Sequence, residues 1–158
     1  MRRASTAAVL VGALTLLGSG VAHAENPAAD DFNLHSMEAC ENPGQSGFKF
    51  HLYYNSGPAG SYRNIGYNVY DFNALRPGDG HAHPLRFCII NGASSPWPGS
   101  GLNVKNNAAS GSNDHYKYTA RVYYYSGYKK PYQSMAPYQE ISRFTTVYNE
   151  NASFSWIS

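Results

Sequence analysis

"FKFHLYYNSG" (residues 48–57) and "YTARVYYYSG" (residues 118–127) carry one pattern twice, seventy positions apart. In the first, Phe48, Phe50, Leu52 and Tyr54 alternate with Lys49, His51, Tyr53 and Asn55, the period of two expected of a strand with one buried face. In the second, Tyr118, Ala120, Val122 and Tyr124 take the same places, and Ser126-Gly127 repeats Ser56-Gly57 as a turn. The stretches that follow, "PAGSYRNIGYNVYDF" and "YKKPYQSMAPYQEISRF", are similar in length and hold Tyr62 and Tyr132 in register. Internal duplication is the economical account, and the core is expected to hold Phe48, Phe50, Leu52, Tyr54, Val122 and Tyr124.

Each copy ends in a short polar stretch after an apolar residue: "VKNNAAS" (104–110) and "VYNENAS" (147–153). Tyr53 to Asn106 spans 53 positions and Tyr123 to Asn149 only 26, so the first copy carries an insertion of about 27 residues, within about 76–101. The insertion contains a strand-like "LRFCII" expected to pair with a sheet edge, set among Pro, Gly and Ser that make exposed loops. No useful length shows helical periodicity. Short strands separated by Gly, Pro and Asn turns predict an all-β sandwich or barrel.

At the other end, "MRRASTAAVLVGALTLLGSGVAHA" pairs Arg2 and Arg3 with an apolar run and a small-residue ending at Ala24, the pattern of a secretory signal peptide. The expected division is therefore a signal peptide over 1–24, an N-terminal arm over 25–46 broken by Pro27, Pro43 and Gly44, flexible at first and ordered near Cys40, and one domain over 47–158. Within that domain, unit one runs over 47–113 and unit two over 116–158. Without Arg2 and Arg3 the chain balances 10 basic against 10 acidic residues, which argues against capture of nucleic acid or anionic membrane. Charged residues are 14% of the chain, against about 25% in an average domain, while 14 Tyr and 15 Gly suit a turn-rich sheet protein. Cys40 and Cys88 in an exported chain are expected to form one disulfide.

The repeated polar stretches are rich in oxygen donors of the kind that Ca²⁺ takes: Asn106, Asn107 and Ser110 in one, Asn149, Glu150, Asn151 and Ser153 in the other, all but Asn151 taken as the candidate ligands. Structural Asx and Ser turns joining strands are the other reading of the same residues. A tyrosine-rich strand, a glycine hairpin and an Asn/Asp-Asn/Asp-x-x-Ser/Thr-Ser loop, twice over, resemble the paired Greek keys of the βγ-crystallin superfamily. That resemblance implies a βγ-crystallin-like sandwich of two Greek-key units. It also implies Ca²⁺ held by Asn107 and Ser110 and by Glu150 and Ser153, with Asn106 and Asn149 in the first motif position. The chain departs from the pattern at Gly111 and Phe154 in the sixth position, at Glu150, and at Pro131, where the second hairpin would carry glycine. Within this fold, "YYNSGPAGSYRNIGYNVYDF" and "VKNNAAS" are most similar to secreted actinobacterial proteins grouped with microbial metalloproteinase inhibitors, peptidase inhibitor family thirty-six.

Three further features bear on function. "GASSPWPGSG" (92–101) stiffens Ser95, Pro96, Trp97 and Pro98 and displays an aromatic anchor, as an inhibitory loop would, although Trp97 folded back over the sheet fits equally. His81 and His83 with Asp79 are a small imidazole cluster with no third spaced ligand, so an exposed polar loop is the simpler reading. "NAS" at 151–153 matches a glycosylation acceptor but serves the repeated loop. The chain has no Gly-x-Ser-x-Gly elbow, His-Glu-x-x-His, Cys-x-x-Cys or phosphate-binding glycine loop. The expectation is a non-enzymatic secreted protein that blocks an extracellular metallopeptidase. A calcium-binding structural module and a carbohydrate- or surface-binding module are the alternatives.

Overall fold

The structure is a computed structural model that describes residues 26–158, so the expected signal peptide lies outside the described residues. The seven strands are β1 (Phe50–Asn55), β2 (Ala59–Ile65), β3 (Ser110–Asn113), β4 (Thr119–Tyr125), β5 (Lys129–Met135), β6 (Gln139–Ile141) and β7 (Ser153–Ile157). They form two antiparallel sheets, ordered β2-β1-β3-β6 and β5-β4-β7. β6 belongs to the second unit by sequence but lies in the sheet of the first, with Ile141 opposite Gly111. In return Val69 of the first unit bridges Phe154 in β7. The second unit thus lends the first a strand and receives a bridging segment in return, and the expected sandwich of two Greek-key units is the observed fold.

The duplication extends to single hydrogen bonds. Both hairpins shift register at the same place, between Tyr53 and Asn55 and between Tyr123 and Tyr125. Gly57 N–H donates to Ser142 O at 2.6 Å, and Gly127 N–H to Tyr70 O at 2.8 Å, each reaching the exchanged segment of the other unit. Both glycines have positive φ, 72° and 76°, the left-handed turn conformation that their missing Cβ permits. Ala109 N–H donates to Tyr53 O and Ala152 N–H to Tyr123 O, so each polar loop is tied to its own unit's first strand.

Apolar residues from both units meet between the sheets: Phe50, Leu52, Ile65 and Phe72 from one, Ala120, Val122, Met135, Phe144 and Phe154 from the other. Phe50 stacks on Phe154 with ring centroids 4.2 Å apart and planes 3° from parallel. The two departures in the sixth motif position answer this packing. A Cβ on Gly111 would come within 2.9 Å of Phe144 Cζ and of His51 O, while Phe154 supplies the stacked ring. Three of the expected core residues need adjustment. Tyr54 and Tyr124 are half-buried and pack against the core from its margin. Phe48 is buried outside the main cluster, edge-on to Tyr67 at 5.9 Å.

The N-terminal arm corrects the sequence reading. Instead of a flexible segment it forms α1 (Pro27–His35) and a 3₁₀ turn (Met37–Ala39). Pro27 occupies the first turn, where its missing N–H costs nothing, and Asn26 caps the helix by accepting from Ala29 N–H at 3.2 Å. The helix packs few apolar side chains, Leu34 against the core and Phe32 on Tyr67, and tertiary polar contacts add to its hold. The Arg63 guanidinium donates to Asn33 O (2.5 Å) and Leu34 O (2.8 Å), satisfying last-turn carbonyls at the negative end of the helix dipole. Burial lowers the Arg63 pKa to about 10, leaving it a cation. Buried Asn33 accepts from Gly66 and Tyr67 N–H and donates to Tyr67 O, so one side chain splices the arm to the end of β2. The Cys40–Cys88 disulfide is formed, across a sequence separation of 48.

The outer face of β1 also differs from simple alternation, because His51 is fully buried. Asn64, opposite it, donates to Glu38 O and Glu41 O at 2.8 and 2.7 Å, which lays the arm over this face.

Candidate functional site

The two repeated loops lie against each other. Asn106 N–H donates to Asn151 O (2.8 Å) and Asn149 N–H to Ala108 O (3.1 Å), a reciprocal pair across the junction of the units. Asn106 and Asn149 both adopt left-handed backbone, with φ of 61° and 51°, a conformation that asparagine tolerates better than other residues with a Cβ. Ser110 and Ser153 are fully buried, and each hydroxyl donates to the end of its own unit's first strand: to Asn55 O at 2.6 Å and to Tyr125 O at 2.8 Å. The loops are therefore clamps between hairpin and strand, whatever else they bind.

The other members of the expected set diverge. Asn107 turns its amide nitrogen onto its own loop, donating to Asn103 O and Lys105 O. Glu150 is exposed and close enough to Tyr124 to push the phenol's pKa up. Asn151, absent from the expected ligand set, is the most fully bonded residue of the two loops. Buried, it donates to Ala108 O (2.7 Å) and Val147 O (3.0 Å) and accepts from Ala108 N–H (3.3 Å), which removes it as a glycan acceptor. Glu150 is the one carboxylate in the expected set, the other five being Asn and Ser, so the donors fit a weakly held cation better than a tightly bound one.

The insertion contributes a second candidate region. "LRFCII" is extended but forms no regular ladder: Cys88 N–H donates to Tyr62 O, Ser61 N–H to Pro98 O, and Arg86 bridges Asn103 within the insertion itself. Leu85 and Phe87 point into the core while Ile89 is 79% exposed. Beyond it the chain closes a tight hairpin, with Asn91 bridging Pro96, Gly92 N–H donating to Ser95 O and Trp97 N–H to Ile90 O, both at 2.9 Å. Trp97 lies against Gly92 of this hairpin and remains 43% exposed. Gly99, with φ of 84°, presses on Tyr54 so closely that a Cβ would come within 2.2 Å of the ring. The loop is thus exposed at its tip and fixed at its base by Gly99, Ser61 and the disulfide.

Asp79, His81 and His83 form a local turn. His81 N–H and the His83 ring both reach the Asp79 carboxylate, which lowers its pKa. Among the described residues no group of three His, Cys, Asp or Glu side chains is placed to hold a metal ion, and no helix is long and apolar enough to cross a membrane.

No protein-family model matches the chain, and no curated protein matches it. Among solved structures it is similar to a chain described under "Evolution of the eye lens beta-gamma-crystallin domain fold", at 13% identity and a TM-score of 0.47, over 70% of this chain and 86% of that one.

Proposed function

We propose that the protein is a non-enzymatic secreted binding protein, of the peptidase-inhibitor type, that blocks an extracellular metallopeptidase with the insertion hairpin around Trp97. The observation that carries this reading is a loop both exposed and braced. Ser95, Pro96, Trp97 and Pro98 sit at a tip whose base is held by backbone hydrogen bonds to Ile90 and Ser61 and by the Cys40–Cys88 bridge. A loop that is already ordered loses little entropy on binding, which is what tight occupancy of a cleft requires. Ile89 and Leu102, 79% and 47% exposed, extend the apolar contact beside it. The test is titration of a thermolysin-like peptidase with the purified protein. Inhibition at stoichiometric ratio, lost in Trp97→Ala while the melting temperature holds, is the expected result; full peptidase activity in excess protein overturns the reading.

The paired loops favour a second reading, a calcium-stiffened structural module. Its motive is the equivalent left-handed Asn106 and Asn149 beside two buried serines. Cation binding to the folded state alone raises the midpoint by mass action. A melt in millimolar CaCl₂ is expected to exceed one in EDTA, with the difference abolished in Ser110→Ala/Ser153→Ala; coincident melts for the unaltered chain discard this reading.

A further inference from the structure

Between α1 and the open end of the second sheet lies a cavity of about 630 Å³ that neither the repeated loops nor the insertion hairpin enters. Tyr67, Tyr70, Tyr128 and Trp156 line it, with Tyr67 and Tyr70 42% and 51% exposed. The rings are held in place. Tyr70 and Tyr128 meet edge to face at 5.7 Å, and Trp156 donates its indole N–H to Gly66 O at 2.9 Å and its backbone N–H to Asn68 Oδ1 at 2.8 Å. Around the rings stand Asp30, Asp71, Asn26 and Asn68, and among the described residues no Lys or Arg lines this first cavity. A second cavity of about 400 Å³ shares Gly66, Tyr67 and Trp156 with the first and continues past Tyr118 and His115, whose rings lie 6.5 and 5.2 Å from Trp156, to the charged residues Glu38 and Lys49.

We infer that this double cleft is a binding site for a neutral oligosaccharide. Rings that present a face and keep a polar tip suit ligands with an apolar C–H face and a hydroxyl edge. Carboxylates outnumber ammonium groups in the lining of the double cleft, Asp30, Asp71 and Glu38 against Lys49, with Lys105 paired to Asp71 from beside it, which disfavours an anion. Asp71 accepts from Lys105 Nζ and Asn73 N–H, both at Oδ1, and a carboxylate accepts about four such bonds, so the site favours a ligand that brings donors. Sugar hydroxyls supply donors, whereas a proline-rich peptide, the other ligand that aromatic grooves take, lacks the N–H groups to do so. The edge-to-face Tyr70–Tyr128 pair leaves no parallel slot for a flat heterocycle. Two cavities sharing one aromatic wall suit a chain of sugar units rather than a single one. Burial and the neighbouring Asp30 raise the Tyr128 pKa to about 12, so its hydroxyl keeps its proton at neutral pH.

The chain has 2 Trp, so Trp97→Phe leaves Trp156 as the sole indole reporter and removes the hairpin anchor at the same time. In this background, cellopentaose, xylopentaose and chitopentaose are titrated at up to millimolar concentration by calorimetry, with Trp156 emission recorded alongside. Saturable heat with a change in Trp156 emission is expected for at least one of them. Tyr70→Ala, at an exposed ring, is expected to weaken it at least about tenfold. Ala74→Phe, which fills the cleft without removing a ring, is expected to do the same, each variant keeping the parent's circular dichroism. No saturable binding by any of the three sugars overturns the proposal. So does sugar binding indifferent to both variants, or binding of a polyproline peptide where the sugars are silent. Because the cleft and the hairpin are separate, loss of peptidase inhibition in the Trp97→Phe background leaves this outcome untouched.

Discussion

His51 illustrates how one side chain ties local chemistry to stability. Its Nδ1 lies 2.7 Å from Asn64 Oδ1, an acceptor, so the neutral ring carries its proton there; Nε2 lies 3.4 Å from Asp114 Oδ2 without a hydrogen bond. Burial is the largest influence and lowers the pKa, with Lys49 acting in the same direction and Asn64 and Asp114 opposing. The unfolded chain therefore takes up this proton first as pH falls. Stability present above the unfolded value of about 6.5 is lost progressively below it. Melts between pH 8 and pH 5 are expected to show a falling midpoint, with a shallower fall in His51→Gln; an unchanged slope in that variant would show that His51 is not the titrating group.

The arm, with α1 and the 3₁₀ turn, is an element whose stability comes almost wholly from what it touches. It buries Ala29, Asn33 and Ala39 and is held by Arg63, Asn64 and the disulfide. In the chain-entropy account, a bridge over 48 residues stabilises by about 4 kcal/mol. Cys40→Ser/Cys88→Ser is expected to lose up to that amount in urea unfolding. The arm is expected to loosen first, read as amide exchange at Asn33 and Leu34 rising ahead of β1. Uniform exchange across arm and sheet would mean that the arm is part of the global unit instead.

For the whole molecule, the decisive feature is the exchange between the units. β6 completes the first sheet and Val69 bridges the second, while Phe50 and Phe154 stack across the units. Neither unit closes its own sheet or fills its own half of the core. A fragment of residues 116–158 is expected to be unfolded by NMR, and to acquire dispersed resonances only when a fragment of residues 26–115 is added. Dispersed resonances from the shorter fragment alone would contradict this account of the core.

The sequence alone determined the sheet class, the duplication and its 70-residue register, the insertion, and the two serine loops. Each is a local or periodic signal, and alternation states which face of a strand is apolar regardless of what covers it. It also carried the cysteine pair, on the expectation of an exported chain, in which two cysteines have few other uses. Tertiary structure decided the rest. α1 is legible only at its N-terminal end, in Asn26 and Pro27, because its supporting contacts with Arg63 and the chain after β2 come from some thirty residues away in sequence. Buried His51 reads as an outward position until the arm is laid over it, and the amide of Asn151 finds its partners only when the facing loop engages it. Tyr67, Tyr70, Tyr128 and Trp156 are scattered over 90 positions, and only the exchange between the units and the docking of α1 bring their rings around one cleft.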